Sequence, residues 1–223
     1  MRKGNWIVFV VILSSFIIAV YLYPQMPGRM ASHWNVRGEV DGYLPKFWAL
    51  FLMPSLSAGL VLLFIVLPRI DPLKNIEKFG RYYDGFLVVL TGFLFYLYLL
   101  TIFWNIGFRF SLIQLLTPAF GMLFYYIGVL TEKAKRNWFV GIRTPWTLSN
   151  EGVWEKTHKL GGKLFKLTGI IAFFGTVLEG FALFFVLAPV LIVSIYVVVY
   201  SYFEYQKIEI DDKLDNHQAV ASN

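Results

Sequence analysis

Apolar positions along this chain fall into long unbroken runs, without the 3.6-residue or two-residue rhythm of a soluble core. Six runs stand out, over roughly 6–23, 47–67, 85–104, 110–130, 163–180 and 181–203. Each holds about 18 to 23 residues, which at 1.5 Å per residue crosses roughly 30 Å of hydrocarbon. The pattern predicts an all-α integral membrane protein of six transmembrane helices. The last two runs form one stretch too long for a single span, and Glu179-Gly180 is the break between them. The first run follows Arg2-Lys3 as a signal peptide would. No small-x-small cleavage site precedes Pro24, so it is kept as the first helix.

The polar segments between the runs divide the chain. Residues 1–67 hold helices one and two with a polar loop at 24–46, and 68–130 hold helices three and four. Residues 131–162 form a second polar loop, 163–203 hold helices five and six, and 204–223 form a tail. The tail mixes Glu, Asp and Lys and predicts one helical turn followed by disorder. Helices two, four and six share a pattern, Phe47…Pro54, Phe110…Pro118 and Phe181…Pro189. A proline removes one backbone hydrogen bond and kinks its helix. The recurrence suggests three related helical hairpins.

Charge fixes the direction of insertion. Only 15% of the 223 residues are charged and 57% are hydrophobic, so a net charge of +6 reads as topology. With the N-terminus inside, the inside segments carry fifteen Lys and Arg and the outside segments four, Arg29, Arg37, Lys46 and Arg109. This asymmetry predicts both termini in the cytoplasm and the loop at 24–46 outside the cell. Lys166 lies within helix five and can snorkel to the cytosolic face. The chain has no cysteine, which excludes disulfides, thiol chemistry and thiolate zinc sites.

The outer loop contains "SHWNVRGEVDGYLPK", residues 32–46. Asn35, Gly38 and Asp41-Gly42 are turn formers, and Gly42 can take positive φ. Trp34 and Tyr43 suit the membrane interface. The loop is therefore expected to be ordered. His33, Trp34, Asn35, Gly38, Asp41, Gly42 and Tyr43 are the candidate ligand-binding residues. His33 with Glu39 or Asp41 matches no metal-site spacing, so no metal and no cofactor is expected.

The inner loop contains "GIRTPWTL", residues 141–148, followed by "VWEKTHKLGGKLF", residues 153–165. Gly141 marks a turn, and Thr144 before Pro145 is pushed to extended backbone. Ser149 is placed to cap a helix whose first turn carries Glu151. Val153, Trp154, Thr157, Leu160 and Leu164 give that helix an apolar face, on which Trp154 and His158 lie four apart. Gly161-Gly162 reads as a hinge before helix five.

These two inner stretches closely resemble the SdpI family, named for membrane proteins that protect a cell from a secreted sporulation-delaying peptide toxin. The outer "MP…HWNVRGEVDGYLPK" resembles a widespread extracytoplasmic-loop domain of unknown function that often precedes such a region. The resemblance implies a six-helix plasma-membrane immunity protein, not an enzyme, that binds or blocks a membrane-active peptide. It also implies signal transduction through the inner loop, where the family's namesake holds a transcriptional repressor. Gly141, Arg143, Thr144, Pro145, Trp146, Trp154 and His158 would form that surface. The partners expected are the lipid bilayer, a secreted toxin peptide and a cytoplasmic repressor, with no direct nucleic acid. Two alternatives remain open. A small transporter fits the kinked hairpins, although the helices hold few ionisable residues to mark a path. A membrane enzyme would use His158 with Glu155 or Glu151.

Overall fold

A computed structural model describes the backbone of residues 3–221. The chain is mostly helical: α1 (Lys3–Leu22), α2 (Lys46–Ile70), α3 (Gly80–Asn105), α4 (Leu112–Lys133), α5 (Pro145–Ser149), α6 (Glu151–Phe174) and α7 (Ala182–Ala221). Between α1 and α2 two strands, β1 (Arg29–Trp34) and β2 (Val40–Pro45), form an antiparallel hairpin. The architecture is therefore not purely helical.

Among the described residues four segments are long and apolar enough to cross a membrane: Lys46–Ile70, Ile76–Asn105, Leu112–Lys133 and Ala182–Ile208. Trp6–Leu22 is a shorter apolar helix. The helix expected over 163–180 differs most from its sequence reading. It begins at Glu151, and the amphipathic segment and helix five are one continuous helix, α6. Gly161-Gly162 is therefore no hinge. Gly162 serves close packing against α4: a Cβ there would lie 2.8 Å from the Gly128 carbonyl oxygen and 2.9 Å from the Glu132 nitrogen. One α-helical repeat of seven residues further, a Cβ at Gly169 would lie 2.5 Å from the Gly121 carbonyl oxygen. Gly121 and Gly128 thus face Gly162 and Gly169 backbone to backbone. Small residues allow such approach where lipid supplies no hydrophobic drive for helices to associate. At this interface Lys166 donates to Glu132 at 2.6 Å, so its charge is paired within the bundle and does not simply snorkel.

The break before the last helix falls where the sequence places it, with a 3-10 turn at Glu179–Phe181. α7 then continues to Ala221, so the tail expected to be disordered prolongs the helix. Pro54, Pro118 and Pro189 all lie inside helices. The carbonyl of Gln114, four residues before Pro118, loses its backbone donor and accepts the Thr117 hydroxyl at 2.9 Å instead. α4 packs more extensively against α6 than against its sequence neighbour α3.

Candidate functional site

Two polar regions sit at opposite ends of the helices. At one end the β-hairpin lies on the bundle. β2 alternates strictly, with Val40, Gly42 and Leu44 turned in and Asp41, Tyr43 and Pro45 exposed. Met30 and Ala31 of β1 are buried, and Met30 packs with Ala19, Leu50, Tyr98 and Ile102. Asn105, the last residue of α3, accepts from the Ala31 N–H at 2.8 Å and donates to the Ala31 carbonyl at 3.0 Å. It acts as a third strand for one residue and fixes the hairpin's height on the bundle.

The tip is closed by Asn35. Its side-chain oxygen accepts from the N–H groups of Arg37 at 2.9 Å and Glu39 at 3.1 Å, and its amide donates to the Glu39 carboxylate at 2.9 Å. Gly38 has φ +78°, a conformation that glycine takes without strain. Asn35 and Gly38 therefore shape the loop. Gly42 does not take the positive φ expected of it. It lies in β2 opposite His33, where a Cβ would come within 2.8 Å of the His33 Cβ. The register slips around His33, which lets its ring reach sideways to Asp41, and Nδ1–H donates to that carboxylate at 2.5 Å. His33 and Asp41 stay open to solvent, their side chains 71% and 44% exposed. Tyr43 is also exposed on that edge. Trp34 turns the other way and meets Trp104 edge-on at 5.8 Å, over which the Arg109 guanidinium lies at 4.9 Å. The seven residues expected to bind thus divide: His33, Asp41 and Tyr43 form an exposed edge, while Trp34, Asn35, Gly38 and Gly42 hold its shape.

At the other end the "GIRTPWTL" motif is a lock. Thr144 is extended, with ψ 162°, and caps α5 in a reciprocal pair with Thr147. Its hydroxyl also meets Ser201 of α7 at 3.1 Å. Trp146 packs edge-on against Tyr202 at 5.2 Å. The α6 cap is Asn150, whose side chain accepts from Val153 N–H at 3.1 Å. Ser149, expected in that role, ends α5 and donates back to Trp146. Trp154 is buried and donates from Nε1 to the Ala134 carbonyl at 2.9 Å, tying α6 to the end of α4. Arg143 is exposed but reaches back to the Trp138 carbonyl at 2.7 Å.

Both ring nitrogens of His158 are occupied. Nδ1–H donates to the Trp154 carbonyl at 2.8 Å, and Nε2 accepts the Ile142 N–H at 2.9 Å. The ring stacks on Trp154 with centroids 3.7 Å apart. Gly141, at φ +116°, passes so close that a Cβ would sit 2.3 Å from Nε2. This fixes the neutral tautomer, and burial, opposed by the backbone hydrogen bond, pushes the His158 pKa down to about 4. Neither nitrogen is free to act as a base. Glu155 points to Lys135 instead, and Glu151 to Arg136. The pairing of His158 with Glu151 or Glu155 is not formed.

Titration of His158 carries a stability consequence. Unfolded, the ring takes up a proton near its ordinary value of 6.5; folded, it resists until about 4. Its contribution is therefore whole above pH 6.5 and is lost as pH falls toward 4, up to about 3 kcal/mol. The unfolding temperature in detergent should drop between pH 7 and pH 5, and His158→Gln should flatten that slope. An equally steep slope in the variant would locate the proton elsewhere.

Several structural residues carried no motif signal. Asn137 is fully buried and closes its loop with donations to the Lys135 and Val140 carbonyls, both at 2.8 Å. Asp71, also buried, accepts from Asn75 N–H at 2.9 Å, and Asn75 donates to the Arg136 carbonyl at 2.7 Å. The signal available was a lone short polar residue beside an apolar run, as for Asn105.

Comparison with known proteins matches both ends of this arrangement. Residues 133–201, from the end of α4 through the lock into α7, match the SdpI/YfhL protein family. The chain carries an SdpI-family region. Residues 10–58, which include the hairpin, match a domain of unknown function, DUF1648. The immunity protein SdpI of Bacillus subtilis (strain 168) is 23% identical over 207 residues, 92% of this chain and 98% of that protein. No solved structure matches. With its apolar helices, this SdpI-like chain is a multi-pass protein of the plasma membrane. The SdpI-family region coincides with the buried contacts of Thr144, Trp154 and His158, so much of the motif maintains the fold.

Proposed function

We propose that this chain is an immunity protein that spans the plasma membrane six times, with both termini in the cytoplasm and the hairpin outside. The hairpin recognises or bars a secreted membrane-active peptide. One observation carries the reading: an ordered hairpin presents an exposed polar edge of His33, Asp41 and Tyr43, held in place by Asn105. An apolar bundle offers a peptide little beyond a lipid-like surface, so selectivity needs polar groups where that peptide first lands. The similarity to an immunity protein over 92% of the chain supports the same reading, as does the Lys and Arg asymmetry.

On the cytoplasmic side, the exposed Arg143 and Pro145 with the half-exposed Trp138 are the surface open to a repressor. Peptide binding outside can alter that surface only by favouring one of two bundle arrangements. The buried contact of Thr144 with Ser201 and the ring contact of Trp146 with Tyr202 make α7 the connecting element.

The test is a survival assay in cells challenged with the sporulation-delaying peptide toxin, combined with cysteine labelling. Val36, 75% exposed at the hairpin tip, becomes the labelling position. Val36→Cys should react with an impermeant maleimide in intact cells, and Ser149→Cys should not. Added peptide should slow labelling at position 36. His33→Ala with Asp41→Ala should lower protection by about tenfold or more, as loss of contacts worth about 1.4 kcal/mol or more does. Arg143→Ala should leave protection intact. Full protection by the His33 and Asp41 variants at normal expression, or reversed labelling, would reject the reading.

A further inference from the structure

A separate cleft opens where α6 changes from polar to apolar. Lys156, Lys159 and Lys163 follow at intervals of three and four, so they share one face of the helix over two turns. With Leu160 and Tyr200 of α7 they line a cavity of about 210 Å³. Immediately beyond Lys163 the helix turns largely apolar, with Leu164, Phe165 and Leu167. On the proposed six-span reading, in which helix five begins at residue 163, the lysines lie on the headgroup side of this boundary and Leu164 and Phe165 on the acyl-chain side. The nearby carboxylates leave two of these lysines without an ion pair. Buried Glu204 takes Lys156 at 3.0 Å and Lys207 at 2.6 Å, and Glu132 takes Lys166. Among the described residues no carboxylate forms an ion pair with Lys159 or Lys163.

We propose that this cleft binds the phosphate-bearing headgroup of an anionic phospholipid, with Lys159 and Lys163 as its principal contacts and Lys156 at the rim. The two ammonium groups without an ion pair, Lys159 and Lys163, about 6 Å apart along the helix, match a phosphodiester and reject a zwitterionic headgroup, whose own cation would face them. The Tyr200 ring and Leu160 receive the start of the acyl chains. The bound lipid bridges α6 and α7, the two helices that the Lys156–Glu204 contact joins.

The test is native mass spectrometry of the purified full chain titrated with phosphatidylglycerol, with phosphatidylcholine as the second lipid. Phosphatidylglycerol adducts should persist and phosphatidylcholine adducts should not. Lys159→Gln with Lys163→Gln should weaken phosphatidylglycerol retention by about tenfold or more, since each lysine near an anionic surface contributes on the order of a factor of five. The pair Lys159→Arg and Lys163→Arg should retain it. Lys74→Gln with Lys78→Gln, removing two exposed lysines from the segment before α3, should leave it unchanged. Equal loss in that control pair would make the attraction a general property of the charged face and overturn the site. Displacement of the lipid by millimolar inorganic phosphate would identify a soluble anion as the occupant and also overturn it. Unfolding temperatures of all variants, measured without added lipid, should match the parent. A fall confined to the Gln pair would make the lysines structural and reject the proposal.

Discussion

Gly162→Leu is expected to abolish recovery of folded protein. The α4–α6 interface is made by backbones in contact: Cβ atoms at Gly128, Gly162 and Gly169 would each lie 2.5 to 2.8 Å from a carbonyl oxygen of the facing helix. At Gly162 the Glu132 Cβ and two backbone atoms all lie within 2.9 Å of an added Cβ, and backbone cannot move aside, so a leucine must part the helices. Parting them also breaks the Lys166–Glu132 pair and lifts α6 from α4 where Trp154 reaches Ala134. Overpacking costs about 1–3 kcal/mol where side chains give way, and a rigid backbone wedge exceeds that. Against a total stability of about 5–15 kcal/mol the loss is large. Gly59→Leu, on an exposed face of α2 with nothing within 4 Å, serves as the control and should behave as the parent. The check is yield of monodisperse protein in mild detergent and its unfolding temperature. A Gly162→Leu protein as stable as the Gly59→Leu protein would mean that the helices do not approach as described.

Trp154→Ala is expected to cost about 3–5 kcal/mol. The indole is 1% exposed, covers one face of His158 and packs with Phe79, Tyr83 and Leu130. Its removal leaves a cavity, strands the Ala134 carbonyl and deprives His158 of its stacking partner. Trp154→Phe separates these effects. It keeps the six-membered ring's packing but loses the Nε1–H bond with the pyrrole part of the indole, and the unmet bond alone costs about 1–3 kcal/mol where an acceptor is left buried. The two variants should therefore unfold in the order alanine, phenylalanine, parent on a thermal ramp in detergent. Coincident curves for phenylalanine and alanine would show that the hydrogen bond, and not packing, holds α6 to α4.

The sequence carried the long-range plan of this molecule through its coarsest feature. Apolar runs long enough to cross hydrocarbon need no knowledge of neighbours, because a helix satisfies its own backbone wherever it sits. The break at Glu179-Gly180, the extended Thr144 before Pro145 and the pairing of Trp154 with His158 were legible for the same reason. Each depends on residues within four positions of one another. The hairpin was half legible: turn residues marked Asn35 and Gly38, but the alternation of Val40, Gly42 and Leu44 passed for loop beside such long helices. What the tertiary structure alone decided were contacts between distant segments. Asn105 meets Ala31 across 74 residues, and Gly162 meets Gly128 across an interface that no local periodicity announces. Glycine pairs are ambiguous in sequence, because a missing side chain equally permits a hinge or a close approach. Only the backbone on the other side tells which, and here it makes α6 one helix from Glu151 to Phe174.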